Sequence, residues 1–550
     1  MGRKKEKLPD AQYAVQLVGP GKLELNAKKP VPRPGAHQVL AHVEAVGLCF
    51  SDLKLLKQFS GHARKGPVVS GINPAVLREV PSYVPGEAPT VPGHEAVCRI
   101  AAVGEGVEGV NVGERYLIQT DYRWLKTEGS NAAFGYNFEG ALQEYVLMDD
   151  RVITDPESGE RMLIPAGSDR SGSAICLVEP WACVEDSYVT HERQGIKAGG
   201  SLLVVVDRGR KAEGLQQLHA RDGSPKACTS FGPGEATAEK LRSLKDQSFD
   251  DIVYFGCDAA TIELLDAKLA GRGIINIVTG GAKIGRPVEI SIGRTHYGMT
   301  RWVGTTGRSA GESYRHIPAT GEVRDGDNML VVGAGGPMGQ MHVIRDICQG
   351  AGDVSITGTD VDDARLAALE DKARPLAEAR GVRLSVVNTQ KTHLAGKFSY
   401  HAIMAPVPAL VAAAIAASSD GALINIFAGI AANVKHRIDL DTYVAGRCFM
   451  FGTSGSVLRD MQIVLGKLQA GSLDTNASVD AVSGMAGAMD GLAAVENRAL
   501  AGKIIVYPML HETPLIPLSR MGEFFPTVAE KLDGGMWCKA AEDELLRVAG

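Results

Sequence analysis

The sequence predicts a chain of the α/β plus β class: an irregular β-rich domain joined to an α/β region that contains two similar units. Three observations carry this. Residues 13–55 and 90–150 are rich in β-branched residues and broken by Gly and Pro, as in PVPRPG and VGEGVEGVNVGERYLI, the pattern of short strands joined by turns. From Glu179 onward EPWACVEDSYVTH spaces its apolar residues as a helix does, KAGGSLLVVVD enters a buried strand, and strand, helix and strand then alternate. Finally, two long segments of that second region resemble each other.

The first of these segments is FDDIVYFGCDAATIELLDAKLAGRGIINIVTGG, followed by VEISIGRTHYGMTRWVGTTG. The second is FSYHAIMAPVPALVAAAIAASSDGALINIFAGI, followed by RIDLDTYVAGRCFMFGTSG. Phe249 precedes Asn276 by 27 residues (276 − 249), and Phe398 precedes Asn425 by the same 27 (425 − 398). Spacing kept across a strand, a helix and a second strand predicts an internal duplication, one copy near 196–310 and the other near 322–480.

Only the later copy carries a phosphate-binding turn. The strand NMLVV runs into GAGGPMGQ, where Gly333, Gly335, Gly336, Pro337, Met338 and Gly339 lie between a strand and a helix start. Glycines there allow a tight turn and a close backbone approach to a pyrophosphate, whose charge a helix N-terminus favours. A second strand, VSITGTD, ends in Asp360, 21 residues past Gly339 (360 − 339). A carboxylate at that position accepts hydrogen bonds from the adenosine ribose and repels a 2′-phosphate, which selects NAD(H) over NADP(H). In the earlier copy the corresponding turn is VVVDRGRKAEG, with Gly209 alone near the strand end, and Arg208, Arg210 and Lys211 read as a solvated face of a unit that holds no dinucleotide, with anion binding as the alternative.

In the β-rich part, VEAVGLCFSDL brings Cys49, Ser51 and Asp52 together, PTVPGHEAV adds His94 and Glu95, and Glu179 opens the EP pair. One thiolate, one imidazole and one or two carboxylates can make a zinc site with three protein ligands and an open position, and they read equally as a buried thiol, a satisfied histidine and two surface acids. Between Asp52 and Glu79 lie Lys54, Lys57, Arg64, Lys65 and Arg78 without an acid, in a gap of 45 residues from Cys49 to His94 (94 − 49). This basic run is read as a solvated loop, with anchoring of a phosphate as the alternative.

Bulk properties narrow the partners. At roughly 150 residues per domain, 550 residues make three or four units. A net charge of −6 and an aromatic fraction of 5% argue against nucleic acid or an anionic membrane as partner. The basic start MGRKKEKLPDAQY is followed by no apolar h-region, and no apolar run has the length of a membrane span, so a soluble cytoplasmic protein is expected. Nine cysteines without paired spacing fit a reducing compartment and exclude a ribbon-type structural zinc site.

The motifs AVGLCFSDL, PGHEAV, VGEGVEGVNVGERY, EGALQEYVLM, EPWACV, LVVGAGGPMG and GKIIVYP occur in the order found in zinc-dependent medium-chain dehydrogenases/reductases of the polyol dehydrogenase type, which the chain therefore resembles. The tail TPLIPLSRMGEFFP…GGMWCKAAEDELL is similar to that of sorbose-1-phosphate reductase-like members. The resemblance, which spans nearly the whole chain apart from the extra α/β unit, implies a GroES-like catalytic domain (1–195, completed by 481–550) and an NAD-binding Rossmann domain (322–480); the internal repeat adds a degenerate Rossmann-like unit (196–321). It implies Cys49 and His94 as zinc ligands, with Glu95 or Glu179 completing the set directly or through water. Ser51 becomes the proton relay and Asp52 the carboxylate that orients His94. Lys54 stands where some relatives place a relay histidine. Ala428, Gly429 and Thr453 join the glycine turn and Asp360 as expected cofactor contacts. The expected activity is hydride transfer between NAD(H) and a polyol, sugar or sugar phosphate by a homo-oligomer, dimer or tetramer. The alternatives are a zinc-free reductase of the same fold and a non-catalytic NAD-binding or scaffold protein.

Overall fold

The computed structural model describes residues 8–550, which divide into two compact units, 8–183 with 456–550, and 184–455. The first unit is built on a sheet that draws on both chain ends. Gln38–Gly47 lies in its middle and pairs antiparallel with Glu95–Val103, with Tyr145–Asp149 at one end, and with Lys503–Val506 at the other. Val479–Ser483 and Ile516–Pro517 extend one edge, Arg115–Ile118 and Leu163–Pro165 the other. Gln38–Gly47 is buried along almost its whole length because its apolar residues meet partners on both faces, and Val39, Val43, Val46, Cys98, Ile100, Ile504 and Val506 share one core.

The second unit is a single sheet of eleven strands. In spatial order they are Ala227–Phe231, Ser201–Val206, Phe249–Phe255, Leu269–Val278 and Arg301–Thr305, then Phe449–Phe451, Ser418–Ile426, Phe398–Ile403, Asn328–Val332, Ser355–Asp360 and Arg383–Asn388. Every neighbouring pair is parallel except the central one, Arg301–Thr305 with Phe449–Phe451, which is antiparallel at Trp302 and Met450. The two halves repeat each other in register. Leu202 faces Asp251 as Met329 faces Tyr400. Phe249 faces Leu269 as Phe398 faces Ser418, and both pairings then slip to the same degree, to Asp251 with Ile274 and Tyr400 with Leu423.

The unit boundaries differ from those the sequence suggests. The segment 456–480 groups with the β-rich unit because Thr475 Oγ1 donates to the Ala174 carbonyl, Asn476 Nδ2 to Ser171 Oγ, and the buried Trp181 indole to the Thr475 carbonyl. The break near 195 moves to 183/184 because Tyr188 and Glu185 bond to Asp346 and Arg345. No break falls at 321/322: one sheet crosses it, and Ile277, Trp302, Ile424, Tyr443 and Met450 belong to one core.

Candidate functional site

Cys49 lies between the end of Gln38–Gly47 and the helix Phe50–Gln58, whose first turn presents Ser51 and Asp52. His94 and Glu95 follow the left-handed Gly93 at the start of the neighbouring strand. These two starts meet. Asp52 is buried; one carboxylate oxygen accepts from the Cys49 amide (3.0 Å), the other from His94 Nδ1 (3.0 Å) and the Gly93 amide (3.3 Å). Burial by itself would raise the Asp52 carboxyl, but the His94 charge and these bonds hold it below the ordinary range. For His94, burial works against the charged ring, and Asp52 reverses that and lifts it well above the ordinary value. The ring is thus fixed through Nδ1, and Nε2 points 2.9 Å from Ser51 Oγ, which donates to Cys49 Sγ at 3.0 Å.

The ligand atoms of Cys49, His94 and Glu95 all lie within 4.8 Å of one another, the one group of this kind among the described residues. Glu95 is fully buried, and its Oε2 has no hydrogen-bond partner. A buried unpartnered carboxylate oxygen beside a thiol and an imidazole fits a divalent cation of zinc type. Gly47 makes room for it, since a Cβ there would collide with Glu95 Oε2. Glu179 stands outside this trio although it is buried and near enough to feel His94 and Glu95; burial, more than its neighbours, pushes its carboxyl up to about 7.

Sequence reasoning missed Lys503. Its Nζ donates to Glu95 Oε1 (2.6 Å) and to the Leu48 carbonyl (2.7 Å), with 5% and 0% of the two paired side chains exposed. GKIIVYP was visible as a motif, but a pair 408 residues apart leaves no local signal. Lys503→Met leaves Glu95 without a countercharge in a dry setting. A loss of about 3–5 kcal/mol is expected in denaturant unfolding of the metal-free protein, and an unmoved midpoint would contradict the pairing.

The basic run is largely engaged. Lys65 is fully buried and donates to the carbonyls of Val84 and Ala88, Arg64 pairs with Asp121, and Lys57 with Glu496. Lys54 is exposed. These cations fasten the loop rather than forming an open anion patch.

In the second unit the expected cofactor residues converge at the C-terminal ends of adjacent parallel strands, where open α/β sheets bind ligands. Gly333 takes φ 82° at the end of Asn328–Val332. The Gly335 amide donates to Asp360 Oδ2 (3.1 Å), and Asp360 Oδ1 accepts from the Val361 amide (2.7 Å), so the carboxylate is held in place. Gly336 caps the helix Pro337–Cys348, where Pro337 and Met338 form the first turn; a Cβ at Gly336 would have no atom nearer than 3.9 Å. Gly339 has the opposite setting, since a Cβ there would collide with the Gly333 carbonyl and stand 2.6 Å from Ala334 Cα. Gly333 thus turns the chain, Gly339 seats the helix, and Gly336 leaves open space. Ala428 and Gly429 follow Ser418–Ile426, and Thr453, buried with Oγ1 unpartnered, follows Phe449–Phe451. Open space at one glycine and an orphaned hydroxyl fit a dinucleotide.

Residues 35–157 match the alcohol dehydrogenase GroES-like domain. Alcohol dehydrogenase notN of Aspergillus sp. (strain MF297-2) is 33% identical over 270 residues, covering 45% of this chain and 69% of its own length. L-sorbose 1-phosphate reductase of Klebsiella pneumoniae is 25% identical over 336 residues, 54% of this chain and 75% of its own. The crystal structure of 2R,3R-butanediol dehydrogenase from Bacillus subtilis shares the fold with a TM-score of 0.50 and 15% identity, over 90% of this chain and 100% of that one. The chain belongs to the alcohol dehydrogenase family, with that family's GroES-like domain over residues 35–157. The matches are partial: the chain spans 64%, 69% and 55% of the length of three further curated relatives.

Proposed function

We propose that the chain is a zinc-dependent oxidoreductase that transfers a hydride between NAD(H) and a secondary alcohol or ketone of a polyol, sugar or sugar phosphate. The observation that carries this reading is the trio Cys49, His94 and Glu95, gathered within 4.8 Å with one buried Glu95 oxygen unpartnered. Cys49, His94 and Glu95 would hold the zinc, with Glu179 as a nearby carboxylate. When bound, zinc polarises the carbinol or carbonyl oxygen and makes deprotonation feasible near neutral pH.

Asp52 keeps the His94 ring oriented and its Nε2 turned toward the Cys49 side. Ser51 Oγ, within 3.0 Å of both Cys49 Sγ and His94 Nε2, would take up the substrate proton and pass it on. The glycine turn, Ala428, Gly429 and Thr453 hold NAD(H), and Asp360 reads its ribose. Asp360→Ala should weaken NADH binding roughly tenfold and narrow the preference over NADPH. Parallel titrations with both cofactors check this, and an unchanged ratio would show that another residue reads the ribose.

The sugar or sugar-phosphate class is supported by the tail motif and by the name of the sorbose 1-phosphate relative. A cytoplasmic location is part of the same proposal; no helix among the described residues is long and apolar enough to cross a membrane. One observation favours a second reading, a zinc-free reductase. Lys503 already sets a cation against Glu95. A screen of polyols, sugars and their phosphates with NAD(H), with and without a chelator, separates the two. Chelator-sensitive oxidation of a polyol-type substrate supports the zinc enzyme, and chelator-independent turnover supports the other.

A further inference from the structure

The two halves of the eleven-stranded sheet meet in a symmetric way. Trp302 pairs with Met450, 148 residues on (450 − 302), and Glu289 pairs with Arg437, again 148 residues on (437 − 289). On either side of the latter, Val288 faces Ile438 and Ile290 faces His436. The same offset relates the matching motifs VGTTG and FGTSG, since 453 − 305 is also 148 for their first threonines. A residue that faces its own counterpart across an antiparallel pair lies on a two-fold axis, the arrangement of an isologous dimer. Two separate pairings agree on a single axis. Tyr443 of the later half reinforces it, donating to the Trp302 carbonyl and accepting from the Met450 amide.

The symmetry stops at the sites. Thr453 Oγ1 is unpartnered, whereas its counterpart Thr305 donates to Glu312 Oε2 at 2.8 Å. Gly429 corresponds to Gly280 (429 − 280 = 149), and a Cβ at Gly280 would collide with the Arg210 guanidinium, so the earlier half closes its own crevice with the residue that replaces the glycine turn. At Gly429 the nearest side chain comes from the other half: a Cβ there would lie 2.7 Å from the Tyr297 hydroxyl oxygen. Tyr297 ends the short helix Gly293–Tyr297, is 45% exposed, and stacks edge-on against the buried His296, whose Nδ1 donates to the Ile426 carbonyl. Gly293 seats that helix, since a Cβ there would collide with the Ala431 carbonyl. The Tyr297 hydroxyl forms no hydrogen bond to the described residues, and it faces Gly429, whose strand lies three places along the sheet from that of Asp360 with the glycine-turn strand between them, so it stands away from the proposed adenosine ribose, on the side the nicotinamide would take.

We propose that residues 196–321 act as a partner subunit carried in the same chain, which closes the central edge of the nucleotide-binding half and delivers Tyr297 to the nicotinamide end of NAD(H). This rests on the cofactor reading above. A half that has lost its own site then has a use: it completes the sheet in cis and supplies one cofactor contact. Any homo-oligomer of the chain forms through other surfaces.

The test uses the full chain as wild type, Tyr297→Phe and Tyr297→Ala, titrated with NADH and with ADP-ribose, which lacks the nicotinamide. NADH binding should weaken roughly tenfold in Tyr297→Ala and about threefold in Tyr297→Phe, with ADP-ribose affinity unchanged in both. In the wild type, one NADH per chain should bind with an affinity that does not vary as the protein is diluted. Equal NADH affinity in all three proteins, equal loss of both ligands, or an affinity that falls on dilution overturns the inference. A wild type that binds neither ligand overturns the cofactor reading itself.

Discussion

Cys49→Ala is expected to give a protein that holds no zinc and oxidises no polyol, yet binds NADH with unchanged affinity. The thiol is one of the three side chains whose donor atoms gather within 4.8 Å among the described residues, and a thiolate is the softest ligand of the set. With it gone, His94 and Glu95 remain, too few to hold the ion against water. The fold should survive, because Cys49 is half-buried outside any regular element, and the Asp52 bond to its backbone amide does not depend on the side chain. NADH binding should be spared because the glycine turn belongs to the other compact unit. Metal analysis, turnover and NADH titration on one preparation check all three outcomes. Retained turnover would refute the metal assignment.

Gly339→Val should reduce NADH affinity roughly 10- to 100-fold and lower stability as well. The obstacle to a side chain there is backbone, the Gly333 carbonyl and Ala334 Cα, and no flexible tip can move aside. The helix Pro337–Cys348 must then shift away from the strand, and with it the turn proposed to meet the pyrophosphate. Gly336→Ala is the informative companion. Its backbone, φ −81° and ψ 167°, suits any residue, and its side faces open space, so it should fold as the wild type does and still weaken NADH. Thermal unfolding and cofactor titration of both variants separate packing from ligand contact. Wild-type affinity in Gly339→Val would show that the helix does not carry the site.

Much of this was legible along the chain because it is local. The strand, glycine turn, helix, second strand and Asp360 follow one another within about 30 residues. The Cys49, Ser51 and Asp52 trio lies within one helical turn, and PGHEAV marks a turn into a strand, so each half of the candidate metal cluster is a short motif; only their meeting needed the structure. The duplication could be sensed from the 27-residue spacing, and the matching strand registers bear on the same point.

What escaped depends on distance or on burial. Lys503 reaches Glu95 across a sheet assembled from opposite chain ends. The union of the two halves into one sheet hangs on a brief antiparallel pairing, Trp302 with Met450, whose residues carry no mark of what they face. The charged stretch that looked solvated contains Lys65, fully buried with its ammonium on two carbonyls, because an irregular loop must satisfy its inward backbone oxygens somehow. Composition records that a lysine is present, not which way it faces.

The account turns on the metal, so the most direct measurement is zinc content set against polyol turnover in one preparation, before chelation, after it, and after zinc is returned. One zinc per chain, activity lost with the ion and recovered with it, is the predicted result. Metal-free protein that oxidises its substrate with NAD at the full rate would contradict it.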